Sequence, residues 1–174
     1  MKHLVKLFVV TFLVLVSTSS IAEEKIVVLN LKYVLNNSKA GKGAQDFLKK
    51  SFKDNQKKFS NMEKALQKEE KDLLEKRTIL SKEEYTKKSD ALRKKVIDYQ
   101  SQRRAALDKI ASQRAKSRET LIKKIEPILD SYIKENNISL VFDKANMLGG
   151  APQYDITDII IEKLNKELPA LDLK

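Results

Sequence analysis

"LSKEEYTKK", Leu80 to Lys88, decides how the chain folds. Long stretches nearly free of glycine and proline flank it on both sides, so the choice is between one continuous helix and two. Ser81 has the short hydroxyl side chain that accepts from the free amides of a helix start. Glu84, three residues on, is placed to reach back to the Ser81 amide. The pairing predicts a new helix opening at Ser81 and a turn near 79–82.

The flanking segments carry seams that suit two helices folded on each other. Phe52, Phe59, Leu66, Leu73 and Leu80 recur every seven residues, and so do Tyr85, Leu92, Tyr99 and Ala106, with Val96 and Ile110 beside them. Between the first set, Leu48 and Met62 are apolar but Asn55, Glu69 and Lys76 are not. Antiparallel pairing about Ser81 puts Leu66 against Val96, Phe52 against Ile110, Asn55 against Leu107 and Met62 beside Tyr99. It also sets Phe59 on Arg103, whose stem can cover the ring. At 1.5 Å per residue, arms of ~40 residues run roughly 60 Å.

Charge divides the chain in the same place. Residues 42–124 hold 25 basic and 13 acidic side chains, a net of +12, whereas the rest of residues 23–174 is net −3. Ser101 to Glu126, "SQRRAALDKIASQRAKSRETLIKKIE", has eight Lys or Arg against three acids and few apolar residues. A solvated helix surface explains individual charges but not an excess of one sign. Lys94, Lys95, Arg103 and Arg104 are candidates for a basic face turned to a partner.

Residues 23–41 and 125–174 must then make a β-rich body, with the arm of 42–124 inserted between them. "KIVVLNL" (Lys25 to Leu31) and "ISLVFD" (Ile138 to Asp143) read as strands, and Met147 to Ala151 as a third with Gly149-Gly150 as turn or bulge. Ile125, Ile128, Leu129, Tyr132 and Ile133 have helical spacing and should pack on that sheet. In "YDITDIIIEKLNK", Asp155 or Thr157 offers an N-cap for a last helix. The class is α+β. So small a sheet has open edges, and association with further copies is the economical way to cover it. Ile26, Val28, Leu140, Val141 and Phe142 are the candidates for that contact. Gly41, Gly43 and Pro127, where body meets arm, are candidate hinges.

Met1 to Ala22, "MKHLVKLFVVTFLVLVSTSSIA", reads as a Sec signal peptide with cleavage after Ala22. Lys2 and Lys6 precede an apolar run from Leu7 to Val16, and small residues close it. That predicts an exported, soluble chain. There is no cysteine, and the lone histidine, His3, lies in the leader. His-based acid–base chemistry, thiol nucleophiles and the usual zinc or copper ligands are therefore excluded from residues 23–174. "AGKGAQ" (Ala40 to Gln45) lacks the spacing of a phosphate-binding loop. The expectation is a protein that is not an enzyme and uses no cofactor, metal or nucleotide.

The N-terminal "KIVVLNLKYVLNNSKAGKGAQ", the long charged insertion and the closing "ISLVFDKANMLGGAPQYDITDIIIEKLNK" together resemble the Skp/OmpH family of periplasmic chaperones, over the whole of residues 23–174. The resemblance implies a trimer whose β body holds three helical hairpins around a cavity. It also implies the periplasm as the destination and ATP-independent holding of unfolded outer-membrane proteins. Ile26 to Leu29 and Leu140 to Phe142 match the body strands of the family, and Asp155-Ile156-Thr157 the opening of the last helix. Asn30 stands where many relatives have an acid, and Gly149-Gly150 is richer in glycine.

Two other readings compete: an exported basic coiled-coil spacer, and a nucleic-acid binder whose cations neutralise phosphates. Export and the lack of a base-reading motif count against physiological nucleic acid. An exported basic chain also has the charge to meet lipopolysaccharide or a membrane surface, although no residues mark such a site. A holdase drawing in acidic clients and retaining them by many weak contacts fits the arm best.

Overall fold

The computed structural model describes residues 24–173; residues 1–22, expected to be a signal peptide, lie outside them. Six main elements follow in order: β1 (Lys25–Leu29), α1 (Leu31–Asn37), α2 (Lys39–Glu75), α3 (Lys82–Glu135), β2 (Ile138–Asp143) and α4 (Thr157–Glu167). Short 3-10 turns occupy Lys76–Thr78, Lys144–Asn146 and Pro152–Tyr154.

β1 and β2 pair in parallel, Ile26 opposite Leu140, Val27 opposite Val141 and Val28 opposite Phe142. Parallel strands need a crossover, and here the crossover is the whole helical arm. β1 stops at Leu29, two residues short of the expected Leu31, because Asn30 starts a helix. Its side chain accepts from the Tyr33 amide at 2.9 Å and caps α1. Ser38 repeats the device one helix later, accepting from the Gly41 amide at 3.1 Å. At the far end of α3, Asn137 adopts φ 50°, the left-handed conformation that Asn tolerates after a helix, and turns the chain into β2.

The expected third strand at 147–151 does not form. Asp143 accepts from the Ala145 amide at 3.0 Å, winding the chain into a 3-10 turn just after β2. Pro152 then removes an amide that a ladder would need. The free edge of β1 is met later, where the Ile156 amide donates to the Val28 carbonyl at 2.9 Å. The N-cap of α4 is Ile156, and neither Asp155 nor Thr157 holds that position. Asp155 accepts from the Thr157 amide at 2.9 Å, while the Thr157 hydroxyl accepts from the Asn30 amide at 2.9 Å. Those two bonds tie the start of α4 to the end of β1.

The core lies in the body. Val27 and Leu29 from the inner face of β1 meet Val34, Leu121, Ile125, Ile128, Ile160 and Leu164. The apolar spacing of α3 around Ile125 and Ile128 thus buries against the sheet. Ile160, Leu164 and Val34 are fully buried, each contributing on the order of 1.5–3 kcal/mol of transfer free energy.

Beyond the body, α2 and α3 run antiparallel, about 55 and 80 Å long at their rise per residue. Ser81 caps α3 as its spacing suggests. Its hydroxyl accepts from the Glu84 amide, and the Glu84 carboxylate accepts from the Ser81 amide at 3.1 Å. The Ser81 hydroxyl, 2.8 Å from the Glu84 carboxylate, and then the Ser81 amide hold the Glu84 carboxyl below its ordinary range. Burial along the seam falls from root to tip. Leu48, Phe59 and Ile110 are buried, whereas Met62, Leu66, Leu73, Leu92, Val96 and Tyr99 are half-buried. The expected register holds where Phe52 and Ile110 line one cleft and Met62 lies beside Tyr99, but Phe59 departs from it by a helical turn. Its ring meets Tyr99 edge-on at 6.0 Å instead of lying on Arg103. Leu107, expected opposite Asn55, is exposed.

Candidate client-binding surfaces

The first surface is the outer face of the sheet. Side chains alternate across a strand, so Val27 and Leu29 turn inward and Ile26 and Val28 outward. On β2, Leu140 and Phe142 share the outward face, while Val141 packs on the core of its own body. Ile26 (40% exposed), Leu140 (49%) and Phe142 (48%) leave an open apolar patch. Val28 lies on the same side but is covered. Leu148, in the extended segment after β2, is fully exposed. Of the five apolar body candidates, three are therefore open, one is covered and one faces inward. The sequence does not separate them, because Ile26 to Leu29 and Leu140 to Phe142 are apolar at every position.

Below this segment sits an ion pair. Lys144 donates to Asp155 at 2.6 Å. Burial pushes the Asp155 carboxyl up, but bonds from Lys144 and Thr157 outweigh it and leave the group below its ordinary range. The same contact raises the Lys144 ammonium.

The second surface is the arm. Lys94, Arg103 and Arg104 are exposed. Lys95 spans the hairpin and donates to both Glu69 carboxylate oxygens, at 2.6 and 2.8 Å. Glu69 is a charged residue at a seam position, and Lys95 is its answer on the other helix. The four cations do not form one face. Lys94 and Arg103 are nine residues apart, which at 3.6 residues per turn sets them on opposite sides of α3. Exposed Phe52, Leu74, Ile79, Ile97 and Leu107 are scattered among the charges.

The third feature is the root of the arm. Gly41 sits in the first turn of α2, buried against the α1–α2 corner. A Cβ there would collide with the Leu35 carbonyl and lie 2.9 Å from the Ser38 hydroxyl oxygen. Gly43 has open space around it. Pro127 lies within α3, between buried Ile125 and Ile128, and denies the Lys123 carbonyl its helical donor. A cleft of about 890 Å³ opens between α1 and the roots of α2 and α3. Its walls are Leu31, Leu35, Leu48, Phe52 and Ile110, with Lys32, Lys49, Arg114 and Arg118 around them. Sequence reading missed this cleft, since its residues come from three helices and share no motif.

Among the described residues no group of acids, histidines or cysteines is placed to hold a metal ion. Nor, among the described residues, is any helix long and apolar enough to cross a membrane.

Comparison with known proteins places the chain. A sequence model of the OmpH family, described as "Outer membrane protein (OmpH-like)", matches residues 25–164. A "Skp-like protein" of Pseudomonas aeruginosa is 26% identical over 170 residues, covering 95% of this chain and 99% of that protein. The crystal structure of a Caulobacter crescentus protein, described as an OmpH-like outer membrane chaperone, shares the fold. Its TM-score is 0.79 at 17% identity, over 90% of this chain and 92% of that one.

Proposed function

The chain belongs to the OmpH-like outer membrane protein family, and from that premise we propose that it is an ATP-independent periplasmic holdase. It binds unfolded outer-membrane proteins and keeps them from aggregating before insertion. The observation that carries this reading is the arm. It is a long hairpin with a thin seam, whose surface mixes exposed apolar side chains with a large excess of cations. Such a surface offers many weak contacts and requires no defined structure in its client. The signal-like leader supports export, and the chaperone description of the Caulobacter protein supports the class of activity.

The open face of Ile26, Leu140 and Phe142 supports assembly through the body, as a trimer in the manner the family resemblance implies. Three arms then share one enclosed space, and their net charge of +12 each is tripled around it. Long-range attraction within the ~8 Å Debye length at physiological ionic strength chiefly speeds association. Once the client is held, closer and less screened contacts retain it. Gly43 and Pro127 are the positions where arms would swing to suit clients of different size.

The test is dilution of a urea-unfolded outer-membrane barrel protein into buffer with and without this chain, followed by turbidity. The expected result is suppression at low salt, with added salt slowing capture much more than release. A barrel protein that aggregates unchanged in the presence of excess chain refutes the holdase.

A further inference from the structure

We propose that the cleft at the root of the arm is an anchoring site for one kind of client segment: two neighbouring apolar side chains followed by carboxylates. The proposal rests on the holdase reading and gives that reading a defined point of attachment, where the arm surface itself offers none.

The cleft has the size of a binding site. Its volume of about 890 Å³ falls within the ~300–1,000 Å³ typical of ligand pockets. Its floor is apolar, with Leu48 and Ile110 buried and Phe52 half exposed at the mouth. A ring left half in water beside a recess gains most from a second apolar side chain laid against it.

Charge selects the rest of the segment. Arg114 and Arg118 are one turn apart on α3, and Lys32 and Lys49 face them from α1 and α2. None of the four makes an ion pair among the described residues. Two carboxylates, Asp46 and Asp143, also line the cleft, so cations outnumber acids there. Unpaired guanidinium groups beside an apolar recess suit a carboxylate that arrives on an apolar segment.

Polypeptide fits this lining better than an acyl chain does. Along the wall Gln45 already donates to the Asn36 carbonyl at 3.2 Å and to Asn36 Oδ1 at 3.1 Å, which leaves the Asn36 amide N–H, the Gln45 Oε1 and the Asp46 carboxylate facing the cleft. An extended backbone can bond to them, whereas a hydrocarbon tail would strip them of water without replacing it.

The probe is a fluorescein-labelled twelve-residue peptide containing Phe-Leu-Glu-Glu, with two controls: Glu changed to Lys, and Phe-Leu changed to Ser-Ser. Anisotropy titrations with the purified chain should show the first bound at least tenfold more tightly than either control. Arg114→Glu with Arg118→Glu should cost tenfold or more, and Phe52→Ser several-fold, with far-UV circular dichroism unchanged. Lys166→Glu, exposed at the end of α4, should leave the peptide affinity as it was. Equal binding of the peptide by the double arginine variant overturns the proposal. So does displacement by decanoate without discrimination among peptides, which makes the occupant a lipid-like amphiphile. Peptide affinity that falls as protein concentration rises shows a second copy in the cleft and also overturns it. The turbidity assay separates the two levels. A wild-type chain that suppresses aggregation but does not discriminate among the peptides loses the anchor and keeps the holdase. One that binds the peptide yet leaves the barrel protein to aggregate refutes both, because the occupant is then no client.

Discussion

Alanine at Gly41 and alanine at Gly43 should move stability in opposite directions. Both residues lie in the first two turns of α2, where helix propensity alone favours Ala over Gly by about 1 kcal/mol. At Gly43 a Cβ meets nothing within 4 Å, so most of that gain should appear, about 0.5–1 kcal/mol. At Gly41 the added carbon would run into the Leu35 carbonyl, which is backbone and cannot rotate away. It would also press on Ser38, which is fully buried and holds the Gly41 amide at 3.1 Å. Shifting the α1–α2 corner costs about 1–3 kcal/mol as overpacking, and a spoiled cap adds about 1 kcal/mol. After subtracting the propensity gain, Gly41→Ala should lose about 1–3 kcal/mol, a gap of roughly 2–4 kcal/mol between the two variants. Urea unfolding followed by far-UV circular dichroism at one protomer concentration reads this directly. With a slope of about 2 kcal/mol/M, the midpoints should differ by about 1–2 M. Gly41→Ala unfolding at or above the wild-type midpoint would refute the packing argument and return Gly41 to the role of a flexible joint.

Four further outcomes can be checked. Phe142→Asp puts a charge on the open sheet face, so sedimentation should show smaller assemblies while helix content stays put; an unchanged sedimentation coefficient removes that face from the interface. Asp155→Asn should lower the melting temperature at pH 7. Because the folded carboxyl of Asp155 lies below its ordinary value, its contribution is present above the unfolded pKa of about 3.9 and vanishes as pH falls through the folded value. The gap between wild type and variant should therefore close in strong acid, and a gap constant down to pH 2.5 contradicts the Lys144 pairing. Lys95→Ala cuts the exposed clip to Glu69 and should cost less than about 1 kcal/mol, as surface pairs do; a larger loss in urea unfolding would mean that the clip sets the register of the hairpin. Pro127→Ala restores a donor to the Lys123 carbonyl and should narrow the spread of dimensions seen by X-ray scattering, an unchanged spread removing the hinge.

The elements most legible in the sequence are those set by short-range chemistry or by a repeated period. Ser81 and Glu84 mark the start of α3 because a cap and its reciprocal bond lie within four residues. Ile125, Ile128 and Tyr132 mark the face of α3 that meets the sheet because helical spacing survives over two turns. Less legible are the features whose partners are distant. Asn30 reads as the end of a strand until Tyr33 and Thr157 are seen bonded on either side of it. Met147 to Ala151 has strand-like residues at its ends, yet Asp143 and Pro152 bend its flanks away from any ladder. The partner of Phe59 is ambiguous by one turn, because a shift of four residues carries one seam position onto the next. Phe59 settles on Tyr99 because an aromatic pair outweighs a ring lying on an arginine stem. The root cleft lay furthest from view, since its cations look like solvated surface until three helices bring them around one recess.

Under the proposed holdase function, the division of packing along the molecule bears on how one chain would hold many clients. The core around Ile160, Leu164 and Ile125 is closed on itself, so the body keeps its shape whatever the arm does. Along the arm, burial thins beyond Phe59 and Ile110, and the helices are joined by half-buried side chains and one exposed ion pair. Few apolar contacts per turn mean a small free-energy cost for spreading the helices locally. A client can then exchange its own apolar side chains for those of the seam at nearly constant free energy. Such exchange needs no matching sequence, which suits a surface whose cations lie on several sides of the helix. It also gives no fixed orientation to the bound chain. Orientation has to come from a place that does not yield, and the cleft is floored by Leu48 and Ile110 just where the arm enters the rigid core.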